Sequence, residues 1–197
     1  MNTLDRLKHH LDAGHVYRRA ELAHWSTAVD RHLKALLGEG TLKRMSQGLY
    51  YCPKHASFGA VPPSDEELVR AFLKTTDFLL ASYNDYNALG VGATQLYNHR
   101  VVYNHKRHGQ FELGGKMFDF RLKHKFPKAM TMEFLLVDLL NNLNDLAEDK
   151  EAILQAAGRK YFSPPTAQVR AMVNEYAGER TKHMLHDRFS AELLAHA

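Results

Sequence analysis

A chain of 197 residues with 45% hydrophobic and 24% charged side chains has room for one large core or two smaller ones, and this composition excludes a wholly disordered protein. The formal net charge of +4, before thirteen histidines are counted, permits a polyanionic partner without requiring one. A single cysteine, Cys52, excludes an internal disulfide framework, and the most apolar run, residues 130–146, is interrupted by Glu133, Asp138, Asn141, Asn142, Asn144 and Asp145, which excludes a bilayer span there.

The opening Met-Asn-Thr-Leu-Asp has neither a basic n-region nor an apolar h-region, so a cytoplasmic protein with no membrane partner is expected. Charge is unevenly spread. Residues 1–60 carry nine Lys/Arg against five Asp/Glu and residues 100–128 eight against two, whereas residues 129–157 carry one against six. An anionic partner therefore has two candidate landing places.

Leu4, Leu7 and Leu11 recur at helical spacing and Gly14 closes the segment, which predicts a first helix over about residues 3–13. His15-Val16-Tyr17 reads as a short extended connector, and residues 18–25 as a second, short helix. Val29, Leu33, Leu36 and Leu37 then share one face of a third helix, with Thr27 and Asp30 spaced as an acidic capping box and Gly38 and Gly40 as the stop. The opposite face presents Thr27, Ala28, Arg31, Lys34 and Ala35, small and cationic side chains that could enter a major groove; the alternative is an ordinary surface helix.

After Gly40 the pattern turns strand-like: Thr41 to Met45, the polar Ser46-Gln47-Gly48, then Leu49-Tyr50-Tyr51. Three helices followed by a hairpin is the winged helix-turn-helix arrangement, in which the third helix enters the major groove and the hairpin lies along the backbone. Lys43, Arg44 and Gln47 fall on that wing, where they would touch phosphate or the adjacent minor groove.

The Pro/Gly/Ser-rich stretch 53–64 places a domain boundary, with a linker at 56–64. Ser64 and Glu67 form a capping box for a helix that buries Leu68, Val69, Phe72 and Leu73, and a further helix is expected over residues 83–89, stopped by Gly90 and Gly92. Residues 100–104, 110–113 and 116–123 read as strands, the last two joined at Gly114-Gly115, with Phe118, Phe120 and Leu122 inward and Met117, Asp119, Arg121 and Lys123 on the wet face. A helix apolar around much of its circumference follows, from Met132 to Leu146. The rest is helical in pattern, with Ser163-Pro164-Pro165 opening one helix, Gly178 closing it, and a last amphipathic segment carrying Met184, Leu185, Phe189 and Leu193. The expected fold class is thus α+β: a winged helix-turn-helix over 1–55, then over 65–197 a mixed domain of helices around a small antiparallel sheet with a helical C-terminus.

No catalytic constellation stands out. The histidines carry no His-Glu-x-x-His spacing, and His9, His10, His99, His105, His108 and His124 lie among Lys and Arg, which opposes metal binding. Neither a phosphate-binding Gly-rich loop nor a Gly-x-Ser-x-Gly elbow is present, and Cys52, between two tyrosines and Pro53, reads as a small buried apolar residue. No enzyme activity, cofactor or metal is expected.

The run Val29-x-Arg31-x-Leu33-x-x-Leu36, Gly40-x-Leu42-x-Arg44, Gly48-Leu49-Tyr50 resembles the winged head of the AbiEi-type antitoxins of type IV toxin-antitoxin systems. Tyr83-Asn84-Asp85-Tyr86-Asn87-Ala88-Leu89-Gly90, followed by a basic hairpin and a leucine-rich helix, is similar to the effector domain that follows that head. The resemblance implies a repressor of its own operator, reading duplex DNA with Thr27, Ala28, Arg31 and Lys34 and with Lys43, Arg44 and Gln47 on the wing, and counteracting a nucleotidyltransferase-like toxin. Monomers or weak dimers that cooperate on DNA are expected. The basic block Arg100, Lys106, Arg107, Lys116, Arg121, Lys123, Lys125 and Lys128 is the expected neutralising surface, and residues 148–197 match nothing specific in the family. A winged-helix regulator that senses a ligand or partner in its second domain, and an RNA- or protein-binding module, are the alternative readings.

Overall fold

A computed structural model describes residues 3–57, 59–98 and 100–193; Phe58, His99 and the side chains of residues 190–193, Leu193 among them, lie outside what it describes. In chain order come α1 (Thr3–His9), β1 (Val16–Arg18), α2 (Arg19–Ala23), α3 (Val29–Gly38), β2 (Lys43–Ser46) and β3 (Leu49–Tyr51). Next are β4 (Lys54–Ala56), β5 (Gly59–Val61), α4 (Asp65–Leu73), β6 (Phe78–Ser82), a 3-10 helix (Tyr83–Leu89) and β7 (Arg100–Asn104). β8 (Gly109–Leu113), β9 (Lys116–Leu122), α5 (Met132–Asn141), a short 3-10 turn (Leu143–Asp145), α6 (Lys150–Tyr161), α7 (Ala167–Tyr176) and α8 (Glu179–Leu193) complete the chain. The class is α+β with small antiparallel sheets.

The chain gathers into two compact units, Met1–Asp77 with Lys106–Phe120, and Phe78–His105 with Arg121–Ala197. This grouping differs from a single division at 56–64, for two reasons. The expected linker is itself partly ordered: β4 and β5 pair antiparallel, and the Tyr51 hydroxyl donates to the Val61 carbonyl at 2.8 Å. Further on, α4 and the β8–β9 hairpin pack with the head, Phe72 meeting Phe111 and Phe120 at ring-centroid distances of 5.0 Å.

In the first unit, Leu7, Leu22, Val29, Leu33, Leu36 and Leu42 close on Tyr17, Tyr50 and the buried Cys52. α1 stops at His9, short of the expected residue 13, because the Tyr17 hydroxyl accepts from the Asp12 amide at 2.7 Å and draws the following residues into turns. The expected connector at residues 15–17 supplies β1 instead. It pairs antiparallel with β3, which pairs antiparallel with β2, so the strand order is β1-β3-β2.

α3 begins two residues later than the Thr27 start, and the Thr27–Asp30 capping box does not form. Asp30 is engaged by Arg19, at 2.7 and 2.6 Å, while the Ser26 hydroxyl accepts from the Ala28 amide at 3.2 Å and meets His32 Nδ1 at 2.7 Å. Of the two expected stop glycines only Gly40 is left-handed, at φ +75°; Gly38 is the last helical residue.

The Gly114-Gly115 turn of the β8–β9 hairpin reaches the edge strand β2, where the Gly114 amide donates to the Met45 carbonyl at 2.8 Å. Gly114 has φ +60°, and a Cβ there would lie 3.2 Å from Met45 Sδ and 3.5 Å from Leu68 Cδ1. Gly114→Val is therefore expected to destabilise the protein by at least about 1–2 kcal/mol from the left-handed backbone alone. The neighbouring Gly115 is left-handed too, at φ +77°, but has open space around it, and Gly115→Asn, which brings a residue that tolerates this backbone, should cost less than Gly114→Val. Urea unfolding of the two variants checks the contrast, and equal midpoints would mean that the turn can rearrange.

The second unit forms around α5. Residues 134–140 are buried without interruption, as an apolar circumference demands, and the helix packs against α7, α8 and the 3-10 helix. β6 pairs antiparallel with β7 from Phe78↔Asn104 to Ser82↔Arg100. The strand at Phe78–Ser82 has no counterpart among the sequence-based expectations, since a short apolar run has no periodicity that separates strand from helix. The segment expected as a helix over 83–89 is a 3-10 helix, capped by Ser82 and closed by Gly90 at φ +63°. α7 starts after the Thr166 cap, close to the expected Pro-Pro opening. No described helix is long and apolar enough to cross a membrane.

Candidate nucleic-acid interface and a buried polar network

Burying Val29, His32, Leu33 and Leu36 turns Arg31 and Lys34 to the exposed side of α3. Ala35 is half-buried beside Thr3 and Leu4 of α1, in a shallow depression that Arg31 also borders. Thr27 and Ala28 lie in the turn before the helix, Thr27 exposed and Ala28 half-buried, so they flank the face instead of forming its first turn. Lys43 and Arg44 are exposed on β2, opposite Tyr51 and Tyr50 of β3, and Gln47 is exposed in a tight turn whose Gly48 has φ +75°.

The cations of this face differ in their use from those at the helix caps. Arg18 pairs with Glu21 at 2.6 Å, Lys8 with Glu39 at 2.6 Å, and Arg19 with Asp30, where the guanidinium holds the carboxyl below the usual carboxylate range. Those pairs tie the helices and their caps. Among the described residues, by contrast, no acid pairs with Arg31, Lys34, Lys43 or Arg44. Four positive side chains on α3 and the β2–β3 hairpin are thus left in water, a geometry able to receive phosphates.

The expected neutralising block does not form one wet face. In the first unit, Lys106 Nζ donates to the carbonyls of Leu73 and Lys74 at 3.2 Å each, at the C-terminal end of α4, and Lys116 pairs with Asp65 at the other end at 2.6 Å. Arg107 stacks over Phe72 with 4.6 Å between its guanidinium carbon and the ring centroid. These cations hold the β8–β9 hairpin on α4.

In the second unit, Arg100 is half-buried and Lys125 and Lys128 are exposed, while Arg121 and Lys123 are drawn inward. Arg121 donates to Asn142 Oδ1 at 2.7 Å, to the Tyr83 hydroxyl at 2.9 Å and to Asp145 at 3.3 Å. The expected inward Leu122 is instead 54% exposed. Alternation along β9 holds through Phe118 and Phe120 and fails beyond them, because the polar partners of Arg121 lie on the other side of the strand.

Those partners belong to a network that periodicity and motif spacing do not single out. Asp138, fully buried on α5, accepts from the Tyr103 hydroxyl at 2.6 Å and the Tyr86 hydroxyl at 2.8 Å. Asn142, one turn on, brings its Nδ2 within 3.1 Å of both tyrosine oxygens, so each hydroxyl donates to the acid and accepts from the amide. Tyr83 links the outer part, accepting from Arg121 and donating to Asp145 at 3.0 Å.

Burial pushes the Asp138 carboxyl above its ordinary range, against the hydrogen bonds from Tyr103 and Tyr86 and the charges of Lys123 and Arg121. Burial likewise drives the hydroxyls of Tyr83, Tyr86 and Tyr103 well above the usual phenol range, with the Asp138 charge adding to it at Tyr86 and Tyr103. Asp138 itself has no exposed atom, and its bonds hold Tyr86 and Tyr103 in place. The signal that could have found this network is the Asp138–Asn142 spacing of one helical turn inside an otherwise apolar helix, which calls for buried donors elsewhere.

Glu148 is a second clamp: its carboxylate accepts from the Tyr97 hydroxyl at 2.6 Å and from the amides of Thr94 and Gln95 at 3.1 and 3.0 Å. Burial opposes its charge, yet these donors outweigh that and hold its pKa below the usual range. No group of His, Cys, Asp and Glu among the described residues is arranged to hold a metal ion. Comparison with family models, curated proteins and solved structures returned no match to this chain.

Proposed function

We propose that this chain is a winged-helix protein that binds duplex operator DNA, represses its own transcription and serves as the antitoxin of a type IV toxin-antitoxin system of the AbiEi type. One observation carries the DNA-binding part. A helix–strand–helix–helix–hairpin order with strand order β1-β3-β2 leaves Arg31, Lys34, Lys43 and Arg44 exposed and, among the described residues, without acidic partners.

In this arrangement α3 enters the major groove, where Arg31 reaches base edges, and the β2–β3 hairpin lies along the backbone with Lys43, Arg44 and Gln47 at phosphates. Thr27 and Ala28, in the turn ahead of α3, are suited to contacts at its N-terminal end, where amides favour phosphate. The finer reading, a cytoplasmic antitoxin acting against a nucleotidyltransferase-like toxin, is supported by the resemblance of residues 29–50 and 81–125. A neighbouring nucleotidyltransferase gene whose product arrests growth unless this chain is co-expressed separates that reading from a regulator without a toxin. The toxin contact is not assigned to Arg121, since its guanidinium is engaged by Asn142, Tyr83 and Asp145 within its own unit.

The interface is tested by anisotropy titration of the full-length protein against its own upstream DNA over a range of salt. The Lys43→Ala/Arg44→Ala double variant should bind all sequences more weakly and lower the slope of log K against log salt by roughly 0.9 for each phosphate that the wing no longer neutralises. A parent that does not bind duplex DNA, or a double variant that keeps the parent's slope, rejects this interface.

A further inference from the structure

The second unit contains an open cleft of about 580 Å³ bordered by the stretch after β9, by Asn141 of α5 and by the junction of α7 and α8. Its walls are fixed by hydrogen bonds. Asn141 donates to the Tyr176 carbonyl at 3.0 Å and accepts from the Gly178 amide at 2.9 Å, so α5 sets where α8 begins. The first turn of α8, Glu179 to Thr181, therefore lines a preformed surface, and the partial positive charge of a helix N-terminus adds to whatever cations face it.

Three cations line the cleft: Lys123, Lys125 and Arg180, with His124 between the lysines. Among the described residues none of the three has an ion pair. Lys123 is the most distinctive. Its side chain is half-buried, and its ammonium lies 4.7 Å from the centre of the Tyr103 ring, with no hydrogen-bond acceptor among the described residues. A ring face replaces only part of the water an ammonium gives up, and burial lowers the Lys123 pKa accordingly. Two acids share the cleft. These are Glu179, which pairs with Lys182 at 3.3 Å, and Glu175 at the end of α7. A lining that holds both cations and acceptor-only carboxylates suits a ligand that carries a strong anion together with hydroxyl or amino donors.

We propose that this cleft binds a small phosphate monoester of the nucleotide or sugar-phosphate class, with the phosphate at Lys123, Lys125, Arg180 and the first turn of α8. A phosphate monoester carries between one and two negative charges near neutral pH, enough to meet several cations at once, and the cleft falls within the usual size range of small-molecule sites. Glu175 and Glu179, which also line the cleft, supply acceptors for the hydroxyls or amines of the rest of the molecule. The site lies wholly within the second unit and does not rest on the DNA-binding reading.

Calorimetric titration of the full-length protein with inorganic phosphate, AMP and glucose 6-phosphate tests the assignment, with DNA binding measured on the same samples. At least one of the two esters should bind with one-to-one stoichiometry and more tightly than inorganic phosphate. Lys123→Met, which keeps the length of the chain, and Arg180→Ala, at an exposed position, should each weaken that binding by roughly tenfold or more. Both variants should keep the parent's melting temperature and its operator affinity. Absence of binding by all three probes, or equal binding by parent and both variants, overturns the proposal. So does competition at the cleft by a short single-stranded RNA without a terminal phosphate when neither ester binds, since that assigns the cleft to a nucleic-acid backbone.

Discussion

Asp138→Ala is expected to lower the stability of the protein by about 3–5 kcal/mol, the cost of opening a buried hydrogen-bonded group on one side only. The carboxylate is the acceptor for two hydroxyls, those of Tyr86 and Tyr103, that have no exposed surface. Removing it leaves both donors facing apolar neighbours and a small void in the middle of α5. In a domain of this size such a loss lowers the melting temperature by roughly 10 °C or more.

Asp138→Asn separates shape from charge, because it keeps the volume and one acceptor oxygen and should cost less than the alanine. It also carries a pH signature. Since the folded pKa of Asp138 is raised from its ordinary value of 3.8 by burial, its contribution is fully present below that value and is lost as pH rises through the folded pKa. The asparagine variant should therefore lack this part of the fall in stability with rising pH. Thermal melts of parent, alanine and asparagine variants across pH decide the matter; an alanine variant melting with the parent would mean that the tyrosine hydroxyls reach other acceptors.

Arg31→Ala is expected to cost about 1–3 kcal/mol of sequence discrimination, the worth of a guanidinium fork on guanine O6 and N7. The loss should appear as a smaller ratio between binding to the upstream operator and to a scrambled duplex. Arg31→Lys keeps the charge without the fork, and should restore nonspecific affinity while leaving much of the discrimination lost. This pattern differs from the even weakening expected at Lys43 and Arg44. If Arg31→Ala preserves the parent's ratio between the two duplexes, α3 is not the reading element.

The contrast between Arg31 and Arg121 illustrates how far a charge pattern can be read. Arg31 lies between Asp30 and His32 in a helical pattern and Arg121 between Phe120 and Leu122 in an alternating one, and each local pattern puts its arginine on an exposed face. Arg31 is exposed and, among the described residues, free of acids, whereas Arg121 is tied to Asn142, Tyr83 and Asp145. The partners that separate them, Asn142, Tyr83 and Asp145 for Arg121, lie 21 to 38 positions away. Charge reversal at Arg121 would disturb the buried circuit together with any surface it affected, so it cannot serve as a clean probe of toxin binding.

What the sequence by itself determined is what recurs over a few residues. The 3.6-residue spacing of Val29, Leu33 and Leu36, the paired glycines between β8 and β9, the Ser64 cap of α4 and the largely apolar circumference of α5 are all local, and each appears close to its expected place. Boundaries held less well where a side chain from another segment competes for a cap, as Arg19 does for Asp30 across 11 positions. Only the tertiary structure decided that the β8–β9 hairpin groups with the head, that much of the basic block is engaged by neighbouring groups, and that Asp138 is the centre of a polar circuit. Each depends on partners far apart along the chain: Gly114 with Met45, Lys106 with the end of α4, Tyr86 with Asp138 across 52 positions. A periodicity leaves its trace in neighbouring residues because backbone geometry repeats every few positions, whereas a hydrogen bond between distant segments exists only once the fold has brought both ends together.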